Sequence, residues 1–247
     1  MPTVTTPFNE RTVLLLGESA VGRLADSRVT VVGVGGVGAY AVEMLARAGV
    51  GHLRLIDGDV VSPSNLNRQL PALRSTIGKP KVEVMRERVL DINPDCEVEA
   101  EMRFIGVDDI DSVVVPSPDF VIDAIDAISP KVALLSRCYR DRIKVISSMG
   151  AGGRMDPTKV RYADIRDTFH DGLAREVRHR LRKAGISSGI KTVFSEEQPR
   201  KNAVIMTDAI EYKRSSYGTV AWLPAIFGMM LASYTVESLI ASGSWYR

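Results

Sequence analysis

Residues 28–59 read RVTVVGVGGVGAYAVEMLARAGVGHLRLIDGD. A β-branched run, RVTVVG, passes into glycines and then into an apolar pattern of helical spacing that reaches Ala48, and a second short run, HLRLID, follows. Strand, crossover helix and strand make the minimal parallel β-α-β unit. The alternation continues with KPKVEVMRERVLDI as a helix, CEVEAE and DFVIDAID as strands, a helix from Pro130 with Ser129 as its N-cap, and IKVISS as a strand. Asn93-Pro94 stops the helix before CEVEAE, since the residue ahead of a proline is pushed out of helical geometry. The prediction is α/β: a Rossmann-like, mainly parallel sheet with helices on both faces.

Beyond Met149 the alternation gives way to a Gly-rich turn, GAGGRMDP, and a strand-like run, KVRYADI. A basic helix from Asp171 to Lys183 and a second strand-like run, IKTVFS, follow. A polar stretch from Glu196 to Arg214 reads as loop, and an apolar terminal helix spans Ala221 to Ala241. One domain over residues 1–247 is expected, with an N-terminal helical arm (1–27), a nucleotide-binding core (28–148) and a smaller C-terminal α+β elaboration (149–247).

The 247 residues are 45% hydrophobic and 25% charged, which excludes disorder and fibre. Lys+Arg at 32 against Asp+Glu at 30 leaves net +2, so nucleic-acid binding by bulk charge is excluded and any basic site is local. The 2 cysteines, Cys96 and Cys138, build neither a disulfide framework nor a four-cysteine zinc site; both are expected to be buried and inert, in a reducing compartment. No basic flank followed by an apolar core opens the chain, so a cytoplasmic protein without a targeting segment is expected. The uncharged stretch Ser215 to Val236 is interrupted by Pro224 and Gly228 and reads as a buried helix, with no stable membrane insertion expected. Trp222, Phe227, Met229 and Met230 are read as its core packing.

Gly33, Gly35, Gly36 and Gly38 follow a strand and open a helix, the setting in which glycines let backbone approach a phosphate stabilised by the helix N-terminus. Asp57, at the end of the next strand, stands where a carboxylate bonds ribose hydroxyls. These residues alone suit NAD and a nicotinamide oxidoreductase. Arg68, Lys79 and Lys81 favour ATP, because a triphosphate gathers about four negative charges and calls for side-chain cations. Asp123 and Asp126 lie at the C-terminal end of a strand, the ligand edge of open α/β sheets; Asp123 divides between helix cap and metal ligand, and Asp126 is taken as the Mg²⁺ ligand.

The ordered motifs GVGGVG, LIDGD, SNLNRQ, GKPKVE, INPD and DAID resemble the ubiquitin-activating-enzyme-like adenylating superfamily, over at least Arg11 to Ser147. The resemblance implies that Gly33 to Gly38 hold the ATP phosphates, Asp57 the ribose, Asn67, Arg68 and Lys81 the polyphosphate, and Asp126 the Mg²⁺. Arg11 matches an arginine that reaches into a partner subunit's ATP site, which implies a homodimer. The zinc-binding CxxC pairs and the cysteine nucleophile of other branches have no counterpart here. ISSMGAGGRMDPTKVRYADI, LRKAGISSGIKTVFSEEQP and GTVAWLPAIFG are similar to the tRNA threonylcarbamoyladenosine dehydratases. That branch implies ATP-dependent activation of the base's free carboxylate at position 37 of tRNA and its closure into a ring. The neighbouring ureido group serves as an intramolecular nucleophile, so no covalent enzyme intermediate is required. A sulfur-relay or cysteine-desulfurase-associated protein is a partner the resemblance allows. The alternatives are an adenylyltransferase for the C-terminus of a small ubiquitin-like sulfur carrier, and a non-catalytic scaffold.

Arg175, Arg178, Arg182 and Lys183 concentrate positive charge within about three helical turns, while Lys159, Arg161, Arg166 and Lys191 add to the same half. With the tRNA resemblance they are expected to contact phosphates, and Arg154, beside the GAGG turn, to steady the substrate carboxylate or the anticodon loop. His52, His170 and His179 receive no proton-transfer role.

Overall fold

Strands buried on both faces need apolar side chains on both, and the runs named above supply them. The computed structural model describes residues 6–200, 203–206 and 215–241. Helices α1 (Glu10–Leu16) and α2 (Glu18–Asp26) lead into β1 (Arg28–Val32), α3 (Gly38–Ala48), β2 (His52–Ile56), α4 (Lys81–Ile92) and β3 (Glu97–Glu101). Then come α5 (Ile110–Val114), β4 (Phe120–Asp123), α6 (Ile128–Asp141) and β5 (Val145–Ser148). The chain continues through β6 (Val160–Asp164), α7 (Gly172–Lys183), β7 (Lys191–Ser195), β8 (Val204–Met206), β9 (Ser215–Tyr217) and α8 (Trp222–Ile240).

A seven-stranded sheet has the order β3-β2-β1-β4-β5-β7-β6. Only β6 runs antiparallel to its neighbour. Val31 pairs with Leu55 on one side and Ile122 on the other, so β1 is central and the strand order reverses beside it. Ligands of open α/β sheets bind at such a reversal, outside the carboxyl ends of the strands. Gly33 leaves β1 at that place.

One apolar cluster joins α3, α4 and α8 to the sheet through Val42, Leu45, Met85, Phe227 and Leu231. On the other face α5 and α6 bury Val113, Leu134 and Cys138, and α7 adds Val177 and Leu181 against Leu135 and Phe194. Helix α8 is long and apolar enough to cross a membrane, yet it docks on α3. A Cβ at Gly228 would overlap the Val37 carbonyl oxygen, so only glycine lets the two helices approach this closely.

Several expectations change. Helix α6 starts at Ile128 with Ala127 as N-cap, ahead of the Ser129–Pro130 start; Pro130 still falls in the first turn, where its missing N–H costs nothing. The stretch expected as loop from Glu196 to Arg214 contains β8, paired antiparallel with β9; residues 201–202 and 207–214 of it lie outside the described residues. Trp222 and Met229 are exposed rather than core: seven residues apart, they share the solvent-facing side of α8, while Phe227 is fully buried and Met230 partly so.

Candidate functional site

The glycines divide by role. Gly33 has φ 91°, and a Cβ there would lie 2.6 Å from the Ala124 oxygen; a Cβ on Gly38 would overlap the Gly33 carbonyl. These two shape the turn. Gly35 and Gly36 keep space above it: a Cβ on Gly35 would stand 3.7 Å from the Gln69 amide nitrogen, and one on Gly36 would stand 3.3 Å from Pro224 and 3.7 Å from Arg68. Helix α3 opens at Gly38, so its N-terminus and the loop amides face that space. Asp57 fastens the loop, accepting the Val34 N–H at 2.6 Å and the Asp59 N–H at 2.8 Å. Burial pushes its carboxyl above the usual range, and the nearby Lys81 charge opposes the shift.

Lys81 begins α4 and is buried, with Nζ donating to Asp59 Oδ2 at 2.6 Å. Sequence reasoning passed over Asp59, although it closes the LIDGD motif; it holds the ammonium beside the glycine loop. Arg68 donates to the Ser64 carbonyl at 2.8 Å and to Asn67 Oδ1 at 2.9 Å. Partial burial lowers its guanidinium pKa, and an anion would relieve that desolvation. Asn67 donates its amide to the Thr219 carbonyl at 2.9 Å, joining this loop to the segment ahead of α8. Asn65, also missed, is buried and caps the loop by accepting the Ser62 N–H at 3.0 Å.

The buried Gln69 Oε1 has no hydrogen-bond partner among the described residues. That oxygen accepts and calls for a donor, while the amide nitrogen, the donor, is the end of Gln69 that faces Gly35. A glycine cradle, an amide nitrogen beside it and cations at its rim fit a nucleotide polyphosphate.

The strand-end aspartates separate. Asp123 is fully buried and takes the ammonium of Lys131, also fully buried, at 2.6 Å and the Ser147 hydroxyl at 2.5 Å. It is therefore neither helix cap nor metal ligand: Lys131 leaves it no room for a cation. It also accepts the Ile125 N–H at 3.1 Å and so shapes the turn that carries Asp126. Asp126 is exposed on that turn, next to Ala124, which touches Gly33. Arg11 lies exposed on α1.

Arg154 is buried at 3% exposure and its guanidinium is spent inside the chain. It donates to the carbonyls of Glu197 at 2.8 Å, His170 at 2.7 Å, Gly152 and Gly150, and pairs with Asp171 at 3.3 Å. The expectation that Arg154 meets RNA or the substrate carboxylate is corrected: it braces the 150–154 turn against the start of α7. Arg178 is also committed, donating to the Thr168 carbonyl at 2.9 Å and hydroxyl at 2.6 Å and to the Ile165 carbonyl. Arg175, Arg182 and Lys183 remain exposed. Arg180, in the same basic run, reaches Ser129 Oγ at 3.1 Å, close to the Asp126 turn. Cys96 and Cys138 are buried, which pushes their thiols up to about 11 and about 12. A cavity of about 550 Å³ lined by Tyr139, Lys144, Lys191 and Tyr234 opens at the opposite edge of the sheet and contains none of the motif residues.

The model of the ThiF family matches residues 9–245. The chain belongs to the ThiF family. Among its ThiF-family relatives, the tRNA threonylcarbamoyladenosine dehydratase of Bacillus subtilis (strain 168) is 40% identical over 237 residues, covering 93% of each chain. The crystal structure of the E. coli tRNA N6-threonylcarbamoyladenosine dehydratase in complex with ATP superimposes with TM-score 0.86 at 35% identity, covering 96% of this chain and 97% of that one. The molybdopterin-synthase adenylyltransferase of Salmonella typhimurium (strain LT2) is 38% identical over 148 residues, only 59% of this ThiF-family chain.

Proposed function

We propose that this chain catalyses the ATP-dependent dehydration of N6-threonylcarbamoyladenosine in tRNA, at position 37. The substrate carboxylate attacks the α-phosphate of ATP, pyrophosphate leaves, and the ureido group of the same base displaces AMP and loses its proton as the ring closes. The observation that carries this reading is the pairing of a complete phosphate cradle with two buried, protonated cysteines. An acyl-adenylate formed beside the cradle finds no enzyme thiolate, so the nucleophile that consumes it belongs to the substrate.

In this reading Gly35 and Gly36 admit the phosphates, the Gln69 amide nitrogen donates to them, and Lys81 and Arg68 neutralise charge that grows on the polyphosphate. Asp57 holds the loop and receives the ribose. No group of three or more His, Cys, Asp or Glu side chains gathers as a metal cage among the described residues. An ion such as Mg²⁺ would be held by the Asp126 carboxylate and the nucleotide's phosphates, where it would supply charge neutralisation.

The exposed face of α7, with Arg175, Arg182 and Lys183, is assigned to tRNA phosphates, with Arg180 beside it. A homodimer completes the site through Arg11: Leu14 and Leu15 on the same short helix are 81% and 83% exposed, an apolar face that a second copy would cover. The reaction belongs where tRNA is, in the cytoplasm.

The test incubates the protein with ATP-Mg and tRNA carrying the uncyclised base, following AMP release and the mass of the nucleoside. Loss of one water per AMP is expected. AMP release that depends on a carrier protein and leaves the nucleoside unchanged overturns the reading.

A further inference from the structure

The segment from Tyr217 to Pro224 runs along the nucleotide cradle. Pro224 sits over Gly36, and the Thr219 carbonyl is held by Asn67. Two aromatic side chains stand on this segment and project to solvent: Tyr217 and Trp222, each 46% exposed. Neither is loose. The Tyr217 side chain lies on Gly152 and Gly153, where a Cβ on Gly152 would come within 2.5 Å of it, so the turn is flat enough to seat it only because those positions are glycine. Trp222 is fixed by one edge, its Nε1 donating to the Met155 carbonyl at 2.8 Å, while the rest of the ring stays open. The backbone beneath is tied on both sides, Gly153 N–H to the Gly218 carbonyl at 2.8 Å and Arg200 N–H to the Gly153 carbonyl at 2.9 Å. Arg200, whose backbone N–H holds the carbonyl of Gly153 under Tyr217, is itself exposed.

Exposing two large rings costs apolar hydration, and neither serves the core. Anchored, solvent-facing aromatics next to a cation are the means by which proteins hold unpaired nucleobases, since every base offers a π-face and the flanking phosphate meets the charge. We infer that Tyr217 and Trp222 form a stacking platform for the unpaired bases that flank the modified adenosine in the tRNA loop. The inference rests on the proposed reaction, which requires that adenosine to leave its stack and place its carboxylate at the cradle; its neighbours then lose their own stacking partners at this rim.

The test measures binding of an anticodon stem-loop RNA carrying the uncyclised base to the full chain and to Tyr217→Leu, Trp222→Leu, Tyr217→Phe and Trp222→Phe. Each Leu variant is expected to weaken binding about 5- to 150-fold, the range of one lost base-aromatic stack, and each Phe variant to stay near the parent. Stacking releases no counterions, so the salt slope stays constant. The chain has 2 tryptophans, Trp222 and Trp245, so quenching of fluorescence by the RNA should vanish in Trp222→Phe while affinity persists. ATP should raise the melting temperature of all five proteins equally, which reports intact folding and an intact cradle. If the Leu variants bind RNA as the parent does, the platform is wrong while the reaction stands; a parent that binds no RNA and releases no AMP fails the proposed function itself. Loss of the ATP effect in the Leu variants would place the rings in the nucleotide pocket, and a change in oligomeric state by sedimentation would place them between two copies of the chain. Either outcome overturns the inference.

Discussion

Lys131 and Asp123 form an ion pair at 2.6 Å with both side chains wholly removed from solvent, directly behind the turn that carries Asp126. Lys131 also donates to the Ser147 hydroxyl at 3.2 Å and the Ser148 carbonyl at 3.0 Å, so its ammonium is fully engaged. Removing one partner leaves a buried charge without compensation. Lys131→Met is expected to cost about 3–5 kcal/mol in urea unfolding, and the double variant Asp123→Leu/Lys131→Met distinctly less. A double variant that is less stable than Lys131→Met would show that the pair is not the source of the cost.

Gly35 and Gly38 separate catalysis from folding. Gly35→Ala meets no atom closer than 3.7 Å, so it should melt near the parent temperature but lose most of the stabilisation by ATP, because the methyl fills the phosphate space. Gly38→Ala collides with backbone and should lower stability by several kcal/mol. Thermal melts with and without ATP-Mg decide both.

Lys81→Met is expected to reduce the rate of AMP release by about 10²- to 10³-fold, the scale for removing one donor to developing charge. Its pair Asp59 is half exposed and returns to water, so stability should fall by no more than about 1 kcal/mol. Steady-state kinetics beside denaturant melts distinguish this from a folding defect.

Glu43 on α3 is buried and receives Arg88 of α4 at 2.5 Å and Arg47 at 2.7 Å. Burial alone would raise its pKa; the hydrogen bonds from Arg88 and Arg47 outweigh burial and hold it below the ordinary value. A depressed folded pKa contributes stability that is present above the unfolded pKa, about 4.3, and lost as pH falls through the folded one. Glu43→Gln should therefore be about 1–3 kcal/mol less stable than the parent at pH 7, with the gap closing progressively below pH 4. Urea melts across pH check it.

Arg178 and Arg182, four residues apart on α7, should behave differently. Arg182→Ala should weaken tRNA binding and reduce the log-log salt slope by about 0.7–0.9, with stability unchanged. Arg178→Ala strips donors from Thr168 and Ile165 and should lower the melting temperature. Equal effects of the two on the melt would return the whole helix face to a structural role.

The sheet is legible because β1, β4 and β5 are short apolar, β-branched runs alternating with helical patterns, and the cradle because its glycines fall between β1 and α3. Side-chain commitments were less visible. Lys131 shares the spacing of Leu134, Leu135 and Cys138, the buried stripe of α6, and that position was the available signal that its charge is internal. Arg154 and Arg178 read as surface cations because composition does not show the carbonyls of the 150–154, 165–170 and 196–197 turns converging on them. Trp222 and Met229 read as core from sequence because α8 is apolar on nearly every side, which leaves no polar face to mark where solvent begins.

The Asn67 amide that holds the Thr219 carbonyl is the same group assigned to the polyphosphate. Its nitrogen carries two N–H donors, so in the proposed site one would hold Thr219 while the other meets nucleotide, and bound nucleotide would firm the strip that bears Tyr217 and Trp222. Thermodynamic reciprocity then requires that RNA alter the affinity for ATP by the same factor by which ATP alters the affinity for RNA. Communication between the two substrates would thus pass through a single side chain.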